Sequence, residues 1–238
     1  MCELTILIPC LNEAGTLPDC IHRAMEFLSE NNVAGEVLVI DNGSTDGSAE
    51  IASREGARVI IERRRGYGSA LITGCRAAQG TYVIMGDADC SYDLLHLMPF
   101  LENLRNGYDL VMGNRYVGGI EKGAMPLLHR CFGTPLISFL GRMIYGSSIG
   151  DFNCGLRGYR REAILGLGLR STGMEYASEM IIRSELANLR ICEVPTVLMK
   201  DGRTGSSHLR SVPDGIRHVA IMLRYAPQGL IWTKKSRR

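Results

Sequence analysis

Two aspartates one residue apart, Asp87 and Asp89, follow a short apolar run and are suited to holding a divalent cation. Mg²⁺ and Mn²⁺ prefer hard oxygen ligands. Mg²⁺ usually takes one or two carboxylates and completes its shell with water and substrate phosphates. The pair therefore predicts a Mg²⁺ or Mn²⁺ site at which the metal offsets the charge of a diphosphate.

Two other polar turns follow apolar runs in the first half of the chain. Asn12 and Glu13 follow one run, and the segment IDNGSTDGS at 40–48 ends another. Residues 41–52 do not form an EF-hand loop, because the sixth position is Asp46 rather than Gly and the twelfth is Ala52 rather than Glu. The segment GYGSAL at 66–71 lacks the third glycine of a dinucleotide-binding turn. These patterns exclude two common ligand loops.

The elements around these turns alternate between strand-like and helix-like segments. Apolar runs predict strands at 4–9, 36–40, 57–61, 81–85 and 108–112. Apolar spacing predicts a helix at 14–30, a polar cap a short helix at 46–54 and a run rich in small residues a helix at 67–78, and a fourth helix is expected at 93–105. Beyond residue 113 we expect helices at 125–145, 174–187 and 214–226 and strands at 153–159 and 191–199. This order predicts a doubly wound, mostly parallel α/β sheet with helices on both faces. In such a sheet ligands bind beyond the carboxyl ends of the strands, where the polar turns lie.

Composition limits the class of protein and its surroundings. The chain has 238 residues, is 45% hydrophobic and carries a net charge of only +2. A nucleic-acid partner is therefore not expected. No zinc-type pair of cysteines occurs, and no apolar run of 18 residues interrupts the chain. With no basic region at the N-terminus, we expect no signal peptide and a cytoplasmic protein with reduced thiols.

Seven blocks of sequence resemble one family. PCLNEAGTL at 9–17, IDNGSTDGS at 40–48, RRGYGSALITGCRAAQGTYVIMGDAD at 64–89 and GNRYVGG at 113–119 resemble family 2 glycosyltransferases of the GT-A fold. DFNCGLRGYRRE at 151–162, GMEYASEM at 173–180 and DGRTGSSHLR at 201–210 resemble the polyprenyl-phosphate, or dolichol-phosphate type, hexosyltransferase branch. The resemblance implies an enzyme that transfers glucose or mannose from a nucleotide-diphosphate sugar to a polyprenyl phosphate. It implies one domain at 1–226, with a nucleotide-binding half at 1–113, an acceptor half at 114–226 and a basic tail at 227–238.

The resemblance also implies roles for residues on the donor side. The nucleotide would lie against Pro9, Asn12, Glu13, Asp41, Ser44, Gly68 and Asp87, where Gly68 allows the backbone to approach it. The metal would be held by Asp87, Asp89 and Ser91, and Ser91 stands where many relatives have Gln.

The acceptor side is predicted to be an anion site. Arginine suits phosphate oxygens, and the candidates are Arg115, Arg130, Arg157 and Arg203. The resemblance implies that Ser207 and His208 also flank the phosphates. A phosphate monoester is mostly a dianion at pH 7, so we expect a single inverting displacement that needs alignment more than a base. Asp151 lies in the acceptor motif as a base or a positioning group. The predicted catalytic residues are Asp89, Asp151 and Arg115.

The C-terminal part of the chain is basic. Residues 200–238 contain nine Lys or Arg and two Asp or Glu. In helix 214–226, Ile216, Val219, Leu223 and Ala226 form one stripe and Arg217 and Arg224 another, which suits an anionic lipid surface. The alternative is a helix packed on the core with solvated arginines. We expect a peripheral protein at the inner face of the membrane. Assembly into a homo-oligomer is left as an alternative to a monomer.

Other functions compete with this interpretation. The same donor chemistry could serve a saccharide or protein hydroxyl as acceptor. A protein that binds the donor without turnover is a second alternative, and nucleotidyl transfer is a weaker one because the glycine-rich phosphate loop it needs near the N-terminus is absent.

Overall fold

The computed structural model describes residues 2–203 and 211–236 and shows a seven-stranded sheet between two layers of helices. The strands are β1 (Leu4–Cys10), β2 (Gly35–Asp41), β3 (Arg58–Ile61), β4 (Tyr82–Met85), β5 (Leu110–Asn114), β6 (Arg157–Arg160) and β7 (Ile191–Pro195). The helices are α1 (Leu17–Glu30), α2 (Ser48–Arg54), α3 (Tyr67–Ala77), α4 (Met98–Arg105), α5 (Arg115–Gly118), α6 (Thr134–Tyr145), α7 (Arg161–Leu167), α8 (Tyr176–Leu186) and α9 (Ser211–Ser236).

The sheet has the order β3-β2-β1-β4-β6-β5-β7. Strand β6 runs antiparallel to both of its neighbours, β4 and β5, and every other pair is parallel. The prediction of a mostly parallel α/β sheet is confirmed. Within the residues that the structure describes, it missed only two short helices, α5 and α7.

Each face of the sheet carries its own hydrophobic core. Successive strand side chains point to opposite faces, so Ile6 and Ile8 join one core while Leu7 joins the other. Helices α1, α2 and α4 cover the first face, and α3 and α6–α9 cover the second. Because both faces are buried, β1 is apolar along nearly its whole length.

Helix α9 is longer than predicted, and it leaves part of its predicted apolar stripe exposed. It runs on to Ser236 with Pro227 inside it, so it includes most of the segment predicted as a tail. The core side consists of Ile221, Met222 and Tyr225, whereas Ile216 and Leu223 are exposed. The predicted stripe therefore does not pack on α6 and α8, which α9 contacts through its other side.

A buried histidine on α9 makes the fold sensitive to acid. The His218 Nδ1 atom lies 2.8 Å from the Ser178 hydroxyl. The pKa of His218 is lowered from 6.5 to about 4, mainly because the ring is buried and secondly because of the positive charge of Arg157. The unfolded chain then binds the proton more tightly, so stability is present above pH 6.5 and is lost as the pH falls toward 4. We expect His218 to cost about 2 kcal/mol of stability between pH 7 and pH 5.

Urea unfolding of His218→Gln at these two pH values tests this expectation, because the variant should lose less stability on acidification than the wild type. His22, which is exposed and pairs with Glu55, provides the matched control as His22→Gln. Equal acid sensitivity in all three proteins would contradict the assignment.

Candidate active site

The three polar turns meet at one edge of the sheet, as predicted. Strand β1 lies between β2 and β4 and is parallel to both. Cys10 is in register with Asp41, and Leu7 with Met85, so the chain leaves these strands on the same side of the molecule. The carboxyl edge of β1, β2 and β4 is thus the natural place for a ligand.

The turns after β1 and β2 are joined by side-chain hydrogen bonds. The Asn12 backbone N–H donates to the Ser44 Oγ at 2.9 Å, and the Asn12 Oδ1 accepts from the Thr45 N–H at 2.8 Å. Asp41 is buried and accepts from the N–H groups of Gly43 and Ser44. Four predicted nucleotide-binding residues, Pro9 at the end of β1 included, therefore lie on one preformed surface.

Asp87 and Asp89 belong to the acidic turn, defined here as residues 87–90, directly after β4. The Tyr67 hydroxyl donates to Asp87 Oδ1 at 3.1 Å, and the Ser91 N–H donates to Asp89 Oδ1 at 3.0 Å. The pKa of Asp87 is raised to about 6, mainly because the carboxyl group is buried and secondly because of the negative charge of Asp89. Two carboxylates that disfavour each other's charge form a site that a cation would stabilise.

The donor set fits Mg²⁺ or Mn²⁺ held partly by substrate. No group of three His, Cys, Asp or Glu side chains placed to bind a metal occurs among residues 2–203 and 211–236. Two carboxylates with diphosphate oxygens and water match the usual shell of Mg²⁺. Ser91 lies beside the pair and is buried. The hydrogen bond that the structure shows between Ser91 and the acidic turn is made by the Ser91 backbone N–H, which donates to Asp89.

A strap formed by residues 199–203 crosses the acidic turn. The Gly202 N–H donates to the Asp89 carbonyl at 2.9 Å. Arg203 then donates from Nε to Glu13 Oε1 at 2.7 Å, and its Nη1 lies 3.2 Å from Asp89 Oδ2. A guanidinium thus occupies the acidic edge of the site. Arg203, predicted to bind phosphate, is brought next to the predicted metal ligands.

Arg115 and Asp151 form a buried ion pair. Arg115 Nε and Nη2 donate to the two Asp151 oxygens at 2.6 and 2.7 Å, and the Asp151 side chain is 0% exposed. A carboxylate with both oxygens engaged and no exposed surface is not placed to take a proton from a substrate. Of the two roles predicted for Asp151, base and positioning group, this geometry favours the second, exerted on Arg115.

Arg157, a predicted phosphate ligand, is a structural residue. It lies in β6, is 1% exposed, and donates to the carbonyl groups of Cys154, Ala177 and Phe152. Burial lowers the pKa of its guanidinium. Because its donors satisfy buried backbone acceptors, Arg157 is not available to an anion, and that prediction is wrong.

Gly68 is required for a reason other than the one predicted. A Cβ at Gly68 would lie 2.2 Å from the Ser171 carbonyl oxygen, and one at the preceding Gly66 would meet the Thr172 carbonyl oxygen. The start of α3 therefore packs closely against the backbone of the loop before α8. The close approach at Gly68 is made to this chain's own backbone.

The remaining acceptor residues are only partly placed. Arg130 is exposed in a π-helical turn, His129–Gly133, and its carbonyl oxygen accepts from the Tyr116 hydroxyl at 3.0 Å. Ser207 and His208 lie outside the described residues.

Three residues that support the site were not singled out from the sequence. Tyr67 bonds Asp87, the Tyr92 hydroxyl accepts from the Gly155 N–H, and Glu193 accepts from the N–H groups of residues 150 and 151. Tyr67 stands between two glycines after β3, which is a signal that sequence analysis could have used. Glu193 comes from a distant strand, and no spacing in the sequence connects it to Asp151.

Comparisons with known proteins identify the family. The model of "Glycosyl transferase family 2" matches residues 5–167. The chain is 40% identical over 225 residues to the low-salt glycan biosynthesis hexosyltransferase Agl6 of Haloferax volcanii, covering 94% of this chain and 54% of that protein. It is 35% identical over 161 residues to the dolichyl-phosphate hexose transferase of the same organism, covering 67% of this chain and 68% of that protein.

Solved structures agree on the fold. The glucosyl-3-phosphoglycerate synthase of Mycobacterium tuberculosis, in complex with Mn²⁺, uridine diphosphate and glucosyl-3-phosphoglycerate, superposes with a TM-score of 0.70 at 22% identity, covering 94% of this chain and 80% of that chain. The sheet described above is thus the GT-A sheet that the sequence motifs predicted. On the family match and the identity to its relatives, the chain belongs to glycosyl transferase family 2.

Proposed function

We propose that this protein is a metal-dependent, inverting hexosyltransferase that uses a nucleotide-diphosphate sugar and a polyprenyl phosphate. The observation that carries the proposal is the acidic turn, whose two carboxylates stand beside the preformed surface of Asn12, Asp41 and Ser44. Mn²⁺ and uridine diphosphate bound to a protein of the same fold support the donor side. The relative named dolichyl-phosphate hexose transferase supports a lipid phosphate acceptor.

On the donor side, Asp87 and Asp89 would hold Mg²⁺ or Mn²⁺, which supplies positive charge to the diphosphate leaving group. The nucleotide lies against Pro9, Asn12 and the turn after Asp41. These groups are fixed by hydrogen bonds before the donor arrives, so little ordering is needed when it binds.

On the acceptor side, the attacking group is a phosphate oxygen. It is already negative at pH 7, so the enzyme has to align it and balance charge rather than remove a proton. Arg203 at the acidic edge and the exposed Arg130 are the cations that we assign to the donor and acceptor phosphates. Asp151 contributes by holding Arg115 in place.

A transfer assay tests this function. With Mn²⁺, a labelled donor and a polyprenyl phosphate, we expect labelled hexose in the organic extract. Label in a water-soluble product would favour a hydroxyl acceptor. Donor binding by thermal shift with no transfer to any acceptor would favour a binding protein. A screen of uridine and guanosine donors that carry glucose or mannose identifies the substrate, because only the bound nucleotide raises the melting temperature.

An exposed apolar row supports a place for this enzyme at the membrane surface. Within the described residues, no helix combines the length and the apolar character needed to cross a bilayer. Helix α6 and the turn before it expose Leu128, Phe132, Leu136, Phe139 and Met143, each at least 50% exposed. Spacings of four, four, three and four residues place this row on one side of the helix. Arg130 and Arg142 are exposed beside it and suit anionic headgroups.

We expect the double variant Phe132→Ser/Phe139→Ser to bind anionic vesicles at least tenfold more weakly, since burying each phenylalanine contributes about 1.5–3 kcal/mol. Co-sedimentation with phosphatidylglycerol vesicles measures this. Ile61→Ser is the matched control, because Ile61 is 55% exposed on β3, away from the row. If the double variant binds vesicles as strongly as the wild type, α6 does not form the membrane contact.

A further inference from the structure

Two cysteines that the proposed reaction does not use lie against the acidic turn. The Sγ atoms of Cys20, on α1, and Cys90, the last residue of the turn, are 3.5 Å apart. Cys20 is buried and Cys90 is half-buried. They come from positions 70 residues apart, so only the fold brings them together.

Both sulfur atoms contact the backbone that carries the acidic residues. The Cys20 thiol donates to the Asp87 carbonyl at 3.9 Å, and the Cys90 thiol to the Thr16 carbonyl at 3.5 Å. The Thr16 hydroxyl in turn donates to the Ala88 carbonyl at 2.7 Å. The acidic turn is thus attached to the start of α1 at three points.

Cys90 also has an unusual backbone. Its φ of 61° lies in the left-handed region, which residues other than glycine rarely adopt. The strap lies beside it, because the Gly202 N–H bonds the carbonyl of the preceding residue, Asp89. A displacement at Cys90 is therefore passed directly to Asp89, its neighbour in the chain.

We propose that Cys20 and Cys90 form a reversible disulfide on exposure to hydrogen peroxide, and that this bond switches off the acidic turn. Peroxide transfers one oxygen to the half-buried Cys90 sulfur, giving a sulfenic acid and one water. The Cys20 sulfur then attacks the Cys90 sulfur, and the hydroxyl leaves with the Cys20 proton as a second water. Two thiols are oxidised and one peroxide is reduced, so atoms and electrons balance.

Closure of the disulfide requires a shift of the chain beside the acidic turn. The sulfur atoms must approach from 3.5 Å to about 2 Å, a movement of roughly 1.5 Å. Mg²⁺ and Mn²⁺ both favour octahedral oxygen ligands, so displaced carboxylates hold either ion less well. The effect on cation binding rests on the proposed function, whereas the formation of the disulfide does not. We expect the oxidised protein to bind Mn²⁺ with uridine diphosphate at least tenfold more weakly, and a thiol reductant to restore binding.

The first test is chemical and independent of activity. The reduced full-length chain is treated with hydrogen peroxide, free thiols are blocked, and peptides are mapped without reduction. We expect a Cys20–Cys90 cross-link with the loss of two hydrogens, and none in Cys90→Ser. Cys131→Ser, which removes an exposed cysteine elsewhere, should still form it. Oxidation of Cys90 to sulfinic acid without a cross-link, or cross-links that involve other cysteines instead, would overturn the proposal.

The second test is calorimetry with Mn²⁺ and uridine diphosphate before oxidation, after oxidation and after reduction. Cys20→Ser, which lies on α1 outside the acidic turn, should bind as the reduced protein does and should not show the tenfold loss after peroxide. A disulfide that forms without weakening binding would overturn the switch. If the reduced protein itself binds no Mn²⁺ and no nucleotide of the donor screen, the proposed function fails, and the peptide map still decides whether the disulfide forms.

Discussion

Asp89→Asn is expected to lower hexose transfer by about a thousandfold, which corresponds to about 4 kcal/mol of lost transition-state stabilisation. Asp89 is 7% exposed, its Oδ1 is fixed by the Ser91 N–H, and its Oδ2 faces Arg203. The amide keeps the size of the side chain and removes its negative charge. Only Asp87 of the two carboxylates would then remain to hold the proposed cation, and a diphosphate leaving group would lose part of its counter-charge. A labelled-donor assay with saturating Mn²⁺ measures the loss.

Binding measurements separate this effect from unfolding. The thermal shift that Mn²⁺ and the donor nucleotide produce together should disappear in Asp89→Asn, while the melting temperature without ligands changes little, because Arg203 keeps its bond to Glu13. Asp93→Asn is the matched control. Asp93 lies four residues further along and pairs with His96 and Arg23. Asp89→Asn with full turnover, or a control with an equal loss, would refute a cation at the acidic turn.

The first half of the fold could be predicted because the signals for its strands and for its helices both lie in short, continuous stretches of sequence. The strands up to β5 are short apolar runs. The helices between them have signals of their own, such as apolar spacing in α1, a polar cap before α2 and small residues in α3, so their order and the edge where the turns meet follow directly. The second half depends on contacts that periodicity does not encode. Four residues of β6 pair antiparallel between β4 and β5, and α5 has only four residues, too few for a pattern. Helix α9 continues past Pro227, a residue that usually ends a helix.

The residues of the candidate site likewise divide into those that local sequence predicts and those that depend on packing. Asn12, Asp41, Asp87 and Asp89 were found because each lies at or shortly after the carboxyl end of a strand, and topology alone brings such residues together. Burial was the missing information for the arginines. An arginine in a sequence motif has the same letter whether it faces a phosphate or, like Arg157, satisfies three carbonyl groups inside the protein. Only packing distinguishes the two.

The buried pair of Arg115 and Asp151 gives the largest expected effect on stability. Replacement of Asp151 by Asn leaves the Arg115 guanidinium buried and without its counter-charge. Loss of one partner of a buried ion pair typically costs 3–5 kcal/mol. We therefore expect Asp151→Asn to lower the free energy of unfolding by about 4 kcal/mol. Urea unfolding at pH 7 measures it.

A second substitution tests the cause of that loss. In Arg115→Met/Asp151→Asn the unpaired charge is gone. The backbone N–H groups of residues 115 and 153 donate to different Asp151 oxygens, so the single Asn oxygen keeps one of these two hydrogen bonds. The double variant should therefore recover part of the lost stability. Glu3→Gln, in an exposed pair with Arg105, is the control and should cost less than about 1 kcal/mol. If Asp151→Asn instead unfolds at the wild-type urea concentration and yet loses transfer, the carboxylate acts in the reaction itself, and its assignment as a positioning residue is wrong.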